Sequence, residues 1–254
     1  MNLAISATGQ PSWRRQTGGR FSGKMGTGKI YVLVGGAHST SMSRSREPAI
    51  SLFLYHLFKW SVVSPTLHLY FRGRIHGANH VPRQGPLIVV ANHASDFDPP
   101  IVSNCVGRPV SYMSKEELFK VPVLGTAIRL YGAYPVKRGS ADRSAIRAAM
   151  QQLDNGWAVG IFLQGTRTKD GRINSPKLGA AMIAARTQAP LLPVCLWGSH
   201  RIFQKGGKFP RPVPLTIRIA PPIPPPPKGC DRTTLEAVTD HCTRVIHEMH
   251  DLGR

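Results

Sequence analysis

Leu87 to Ala91 is a short, wholly apolar run, and directly after it the chain reads Asn92-His93-Ala94-Ser95-Asp96-Phe97-Asp98-Pro99-Pro100. Five apolar residues bounded by polar ones read as a buried strand, and such strands belong to sheets covered by helices on both faces. Asp98-Pro99-Pro100 looks like an N-cap followed by prolines in the first helical turn. Strand, polar loop and helix start make up the repeating unit of an α/β fold, and the chain repeats it. Trp157 to Leu163 and Leu191 to Trp197 read as further buried strands. The helix opening at Pro99 should end near Gly107, and Ser114-Lys115-Glu116-Glu117 reads as a capping box for a short helix. Ser140 could cap a longer helix with Ile146, Met150 and Leu153 as its buried stripe. Leu215, Ile217 and Ile219 alternate as in a half-exposed strand, which the proline-rich stretch Pro221 to Pro227 must end. That stretch reads as an extended linker to a last helix. The expected architecture is α/β, with a central, mostly parallel sheet flanked by helices.

The loop after Leu87–Ala91 carries the first candidate chemistry. An imidazole is largely neutral at cellular pH and can take a proton from a hydroxyl, while a nearby carboxylate fixes its tautomer and stabilises the imidazolium. His93 and Asp98 are five residues apart. On one continuous helix that spacing would put them roughly 140° apart around the axis. His93 must therefore lie in the loop for the two to meet. A His near an Asp also serves as a loop hydrogen-bonder or a helix cap, so the pair gains meaning only from the rest of the chain.

Charge narrows the partners. The chain of 254 residues has 33 Lys+Arg against 13 Asp+Glu, a formal charge of +20, and such a balance calls for an anionic partner. Nucleic acid, an anionic membrane surface and phosphorylated small substrates all qualify, and only site chemistry can choose among them. Four widely spaced cysteines form neither a C-x-x-C pair nor a metal-ligand series, and they read as reduced structural thiols. His247-Glu248-Met249-His250 is one residue short of the H-E-x-x-H spacing. Leu235, Val238, Cys242, Val245, Ile246 and Met249 recur at helical spacing, so this region reads as a docking helix, with no metal site expected.

Residues 1–47 form a separate compositional unit. The first 46 contain no Asp or Glu and carry Arg14, Arg15, Arg20, Lys24, Lys29, Arg44 and Arg46 among Gly, Ser and Thr. They read as a disordered basic tail or an organellar transit-like peptide, with a chain start at Met42 as a third reading. Residues 48–75 are strongly apolar, broken by Lys59 and Pro65. Neither uncharged half reaches the ~18 apolar residues of a spanning helix, and Pro65 should kink or end the first helix. Trp60, Tyr55, Tyr70 and the flanking Arg44, Arg46, Arg72 and Arg74 suit a helical anchor at the headgroup level of a membrane. Residues 76–254 are expected to form one α/β domain.

Two further loops follow strand-like runs. Gln164-Gly165-Thr166-Arg167 comes after Trp157–Leu163, at the strand edge where open α/β sheets bind ligands. Gly165 permits close backbone approach, Thr166 offers a hydroxyl, and Arg167 can clamp a phosphate in bidentate fashion. Tyr134-Pro135-Val136-Lys137-Arg138-Gly139 supplies positive charge at another strand end.

Together these blocks resemble the glycerophospholipid acyltransferase family. Asn92, His93 and Asp98 meet its N-H-x-x-x-x-D motif, and Tyr134 to Arg138 matches its second block. Phe162-Leu163-Gln164-Gly165-Thr166-Arg167 matches F-P-E-G-T-R, with Leu for Pro and Gln for Glu. Leu191-Leu192-Pro193-Val194 matches the fourth block, Lys177 and Gly179 match K-x-G, and Lys115 falls where the family commonly has a lysine before E-L. The resemblance runs from about Gly77 to Ala220.

The resemblance implies that His93, oriented by Asp98, is the general base for an acceptor hydroxyl. That hydroxyl attacks the thioester of acyl carrier protein or coenzyme A directly, with no cofactor and no acyl-enzyme. The implied acceptor is 1-acyl-glycerol-3-phosphate and the product phosphatidic acid. Lys115, Arg138, Gln164, Gly165, Thr166 and Arg167 are the implied substrate-binding residues. The enzyme would sit at the cytoplasmic face of an anionic lipid membrane, with organellar targeting by the tail left open. Acylation of glycerol 3-phosphate or another lysophospholipid is the alternative within the family. Outside it, a Ser-His-Asp hydrolase would need a G-x-S-x-G elbow, which the sequence does not contain. A basic module that binds membrane or nucleic acid without catalysis would explain the charge but not His93 and Asp98, so nucleic acid is not the expected partner.

Overall fold

In the computed structural model the described residues are 14–16, 20–24, 29–32, 49–122, 125, 128, 132–136, 143–203 and 209–254. Contacts divide the chain into two units, Met1–Ser43 and Arg44–Arg254. In the first, β1 (Arg14–Gln16), β2 (Arg20–Lys24) and β3 (Lys29–Val32) pair as an antiparallel meander. The other residues of the expected tail lie outside those described.

The second unit is built on seven strands: β4 (Arg74–His76), β5 (Leu87–Ala91), β6 (Val110–Lys115), β7 (Tyr134–Val136), β8 (Ala158–Phe162), β9 (Leu191–Trp197) and β10 (Thr216–Ile219). Their order is β4-β10-β9-β5-β8-β6-β7. The five from β9 to β7 are mutually parallel; β10 runs antiparallel to β9, and β4 lies parallel to β10. The expected mostly parallel sheet is thus present, with a reversed two-stranded edge.

Strand parity sorts the core into two layers. Leu87, Val89 and Ala91 face one side with Ile101, Val102, Cys105 and Val106 of α2 (Asp98–Val106). Ile88 and Val90 face the other with α3 (Arg143–Asp154), α4 (Gly179–Thr187) and α5 (Arg232–Asp251), which contribute Ile146, Ile183 and Ile246. All five β5 residues are buried, as a strand sandwiched between helix layers requires. Burial pushes the thiols of Cys105, Cys195 and Cys242 up to about 12, so these three are packing groups rather than nucleophiles.

Several local expectations are corrected. Ser114 and Lys115 are the last residues of β6, so Ser114 caps nothing, and Glu116–Lys120 is a 3-10 turn. β10 is more covered than a half-exposed strand: Thr216 is buried and Arg218 half-buried on its second face, where Arg218 Nη1 donates to Gly253 O (2.7 Å) beyond the end of α5. The proline-rich stretch is no free linker: Ile223 exchanges backbone hydrogen bonds with Leu191 at 2.7 and 2.9 Å. Ser140 lies outside the described residues.

α1 (Ala49–Phe58) continues into two π-type turns, Lys59–Val63 and Thr66–Tyr70, so Pro65 does not end the helical path. In a regular α-helix a spacing of four overshoots one turn by roughly 40°. Turns of the i→i+5 kind take in an extra residue and correct that drift. Tyr55, Val63, Leu67 and Phe71 consequently all face inward and are buried, and Tyr55 Oη donates to Ser103 O of α2 (2.8 Å). Phe53, Leu57, Trp60, Val62 and Leu69 are left pointing outward, Leu69 at 80% exposure. No helix among the described residues is long and apolar enough to cross a membrane.

Candidate active site

β5 and β8 are neighbours, yet the helices that follow them leave to opposite faces: α2 packs on the Leu87–Val89 side and α4 on the Ile88–Val90 side. A crevice opens at the carboxyl ends of two such strands, and α/β sheets bind ligands there. His93 lies in the β5–α2 loop and Gln164-Gly165-Thr166-Arg167 in the loop after β8.

Asp98 Oδ2 lies 2.9 Å from His93 Nδ1 and also accepts the backbone N–H groups of Ala94 and Ser95, both at 2.7 Å. Asp98 is fully buried; the His93 side chain is 17% exposed. A carboxylate can only accept, so the proton of the pair sits on Nδ1 and Nε2 is left as the acceptor. Asp98 was expected to cap α2. It is instead the helix's first residue, and its oxygen turns back onto the preceding loop, which it folds around the imidazole.

Phe162, legible only as a motif member, and Tyr112, Gly160 and Thr168, which sequence reasoning did not single out, fix the remaining freedom of His93. Its ring stacks on Phe162, the last residue of β8, with centroids 4.0 Å apart and planes 14° apart. Phe162 stacks in turn on Tyr112 at 5.6 Å. That close layer exists because residue 160 is glycine: a Cβ there would lie 2.0 Å from the Tyr112 ring. The His93 carbonyl accepts Thr168 N (2.8 Å) and Thr168 Oγ1 (3.2 Å), which ties the two loops together.

Asn92 is buried and acts as one more rung between β5 and β9. Its Oδ1 accepts Leu196 N (2.8 Å), while its Nδ2 donates to Leu196 O (2.9 Å) and Gly171 O (2.7 Å). Side chain thus replaces main chain where the backbone turns away into the loop. The asparagine before the histidine was legible as a motif member; this pairing was not, because it depends on which strand lies beside β5.

In the second loop, Gln164 Oε1 accepts Asn174 N (2.7 Å), so this side chain braces the loop rather than pointing to a ligand. An amide oxygen serves there as a carboxylate would, which accounts for glutamine at that position. Gly165 has φ +74° and open space at its Cβ position, and Thr166 is exposed. Arg167 Nη1 donates to the carboxylate of Asp96, which lies in the His93 loop. Lys115 ends β6, two strands from β5. Arg138 lies outside the described residues.

The carboxy-terminal histidines serve packing. His247 Nε2 accepts Ile173 N (3.1 Å) and His250 is buried at the foot of α5. Among the described residues no group of three or more His, Cys, Asp or Glu could hold a metal ion.

An imidazole held against a buried carboxylate lies in one loop, and an arginine of the neighbouring strand's loop pairs with Asp96 of the same loop. Residues 72–197 match the family model described as Acyltransferase. Over that stretch the chain is similar to acyltransferases. Its curated relatives include a chloroplastic 1-acyl-sn-glycerol-3-phosphate acyltransferase of Brassica napus, 31% identical over 59% of this chain and 43% of the relative. Another is the 1-acyl-sn-glycerol-3-phosphate acyltransferase of Bacillus subtilis, 29% identical over 59% of this chain and 77% of the relative. The chain thus spans less than half the length of the plant enzyme. Among solved structures, the 1-acyl-sn-glycerophosphate (LPA) acyltransferase PlsC from Thermotoga maritima superposes with a TM-score of 0.66 at 26% identity, covering 79% of this chain and 80% of that one.

Proposed function

We propose that this protein transfers a fatty acyl group from a thioester to the free hydroxyl of 1-acyl-glycerol-3-phosphate, forming phosphatidic acid. The observation that carries the reading is the buried Asp98 carboxylate 2.9 Å from His93 Nδ1, with Arg167 presented from the adjoining loop. The acceptor hydroxyl gives its proton to His93 Nε2 as its oxygen bonds to the thioester carbon. Collapse of the tetrahedral intermediate breaks the carbon–sulfur bond, and the departing thiolate takes the proton. Proton transfer to His93 contributes on the order of 10²–10⁴ in rate, and Asp98 stabilises the transient imidazolium. Arg167 pairs with the acceptor phosphate, assisted by Lys115 and Arg138, and the Gly165–Thr166 backbone lies against the headgroup. The names of the relatives support this acceptor. The donor is an acyl carrier protein or coenzyme A thioester, and no resident cofactor is required.

The outward apolar residues of the α1 segment insert into an anionic membrane interface, where the acyl chains of substrate and product already reside. The chain's +20 charge supports the same placement at an anionic membrane face. Chloroplastic relatives and the basic first 46 residues support delivery to an organelle.

The test is acyl transfer by membranes containing the full chain, with lysophosphatidic acid, glycerol 3-phosphate and other lysolipids each supplied with both thioester donors. Phosphatidic acid formation from lysophosphatidic acid is expected. Arg167→Ala should chiefly raise KM for phosphorylated acceptors. Preference for an acceptor without phosphate would overturn the reading.

A further inference from the structure

Asp96 lies in the loop that holds the catalytic base, two residues before Asp98, yet it takes no part in orienting His93. Its side chain is 71% exposed and its carboxylate pairs with Arg167, itself 53% exposed. Arg167 is the residue assigned above to the acceptor phosphate, so its charge already faces a carboxylate of the same chain. The N-H-x-x-x-x-D spacing leaves this position open, and nothing in it asks for an acid.

We propose that Asp96 is a specificity-determining residue that competes with phosphomonoester headgroups for Arg167. The inference rests on the phosphate role of Arg167. An incoming phosphate offers up to two charges and three acceptor oxygens, enough to take a guanidinium from a single exposed carboxylate. The exposed pair is weak and screened by salt, so displacement is easy. Substrate and product carry the same phosphomonoester. Asp96 therefore lowers affinity for both, and by re-pairing with Arg167 it helps the product leave. An acceptor with an uncharged headgroup has no claim on Arg167 and is indifferent to Asp96.

The test uses the full chain in membranes, with KM for lysophosphatidic acid and the inhibition constant of phosphatidic acid read for wild type, Asp96→Asn, Arg167→Ala and the double variant. Asp96→Asn should lower both constants by about two- to fivefold, the scale of one exposed ion pair. In the Arg167→Ala background the same change should do nothing. A rise in KM on Asp96→Asn would mean that Asp96 positions Arg167 for the substrate, and would overturn the competition. KM raised by Arg167→Ala but untouched by Asp96→Asn overturns the competition alone. Wild-type KM in Arg167→Ala overturns the phosphate role of Arg167 as well. Thermal melting of each variant confirms the fold, which the exposed position of Asp96 leaves undisturbed.

Discussion

His93 Nδ1 is held 2.9 Å from Asp98 Oδ2, and the same oxygen accepts two backbone N–H groups from the loop carrying the histidine. One buried carboxylate thus shapes the loop and fixes the tautomer of the imidazole. Asp98→Asn keeps an oxygen for the three donors but withdraws the charge that stabilises the imidazolium. The expected outcome is a chain that melts near the wild-type temperature while kcat falls by about 10²-fold or more. Asp98→Ala should lose stability too, by about 1–3 kcal/mol, because buried N–H groups are left without acceptors. Equal losses of stability in both variants would contradict the separation of roles.

Gly160 supports the site from beneath. Gly160→Ala places a methyl 2.0 Å from the Tyr112 ring, and that ring carries Phe162, on which His93 lies. Overpacking of this kind costs about 1–3 kcal/mol and should also lower kcat by tilting the imidazole. Shortening the neighbour, as in Gly160→Ala with Tyr112→Leu, should cost less than the sum of the two single changes. Denaturant titration of the four proteins measures the coupling, and strict additivity would rule out contact as the cause.

His200 and His250 give the fold a pH dependence. Burial holds both imidazoles below their ordinary range; Arg201 beside His200 and Arg172 beside His250 act in the same direction. Unfolded, each takes a proton near pH 6.5, so below about that pH the unfolded chain binds more protons than the folded one. Stability therefore rises with pH through this window and is lost on acidification. Tm should be flat above pH 7.5 and fall from pH 7 toward pH 5, and His250→Gln should shallow that fall. An unchanged pH profile in both His250→Gln and His200→Gln would remove these residues as the cause.

The strands that place the site were legible because they are pure apolar runs: β5 and β9 begin and end at the residues their composition marks. His93 and Asp98 were legible for the same reason, since a strand end on one side and two prolines on the other confine them to one short strand-to-helix segment. What stayed hidden depends on neighbours distant in sequence. β8 lies beside β5 only once the sheet has formed, and that adjacency brings Phe162 under His93, Thr168 onto its carbonyl and Arg167 to Asp96. Gln164 shows the same limit. Its chemistry could be weighed as an amide among cations, but its partner, the Asn174 amide, belongs to a loop whose path no spacing rule gives. The π-type turns were hidden for a local reason: a spacing of four residues fits no single regular helix, and only packing decides how the mismatch is absorbed.

The central claim is that His93 takes the proton from the acceptor hydroxyl. The most direct test is the single-turnover rate of phosphatidic acid formation from labelled acyl thioester and lysophosphatidic acid, in membranes holding equal amounts of wild type and His93→Ala. The variant is expected to bind lysophosphatidic acid as wild type does and to lose about 10²–10⁴ in rate. Transfer by His93→Ala at the wild-type rate would contradict the claim outright.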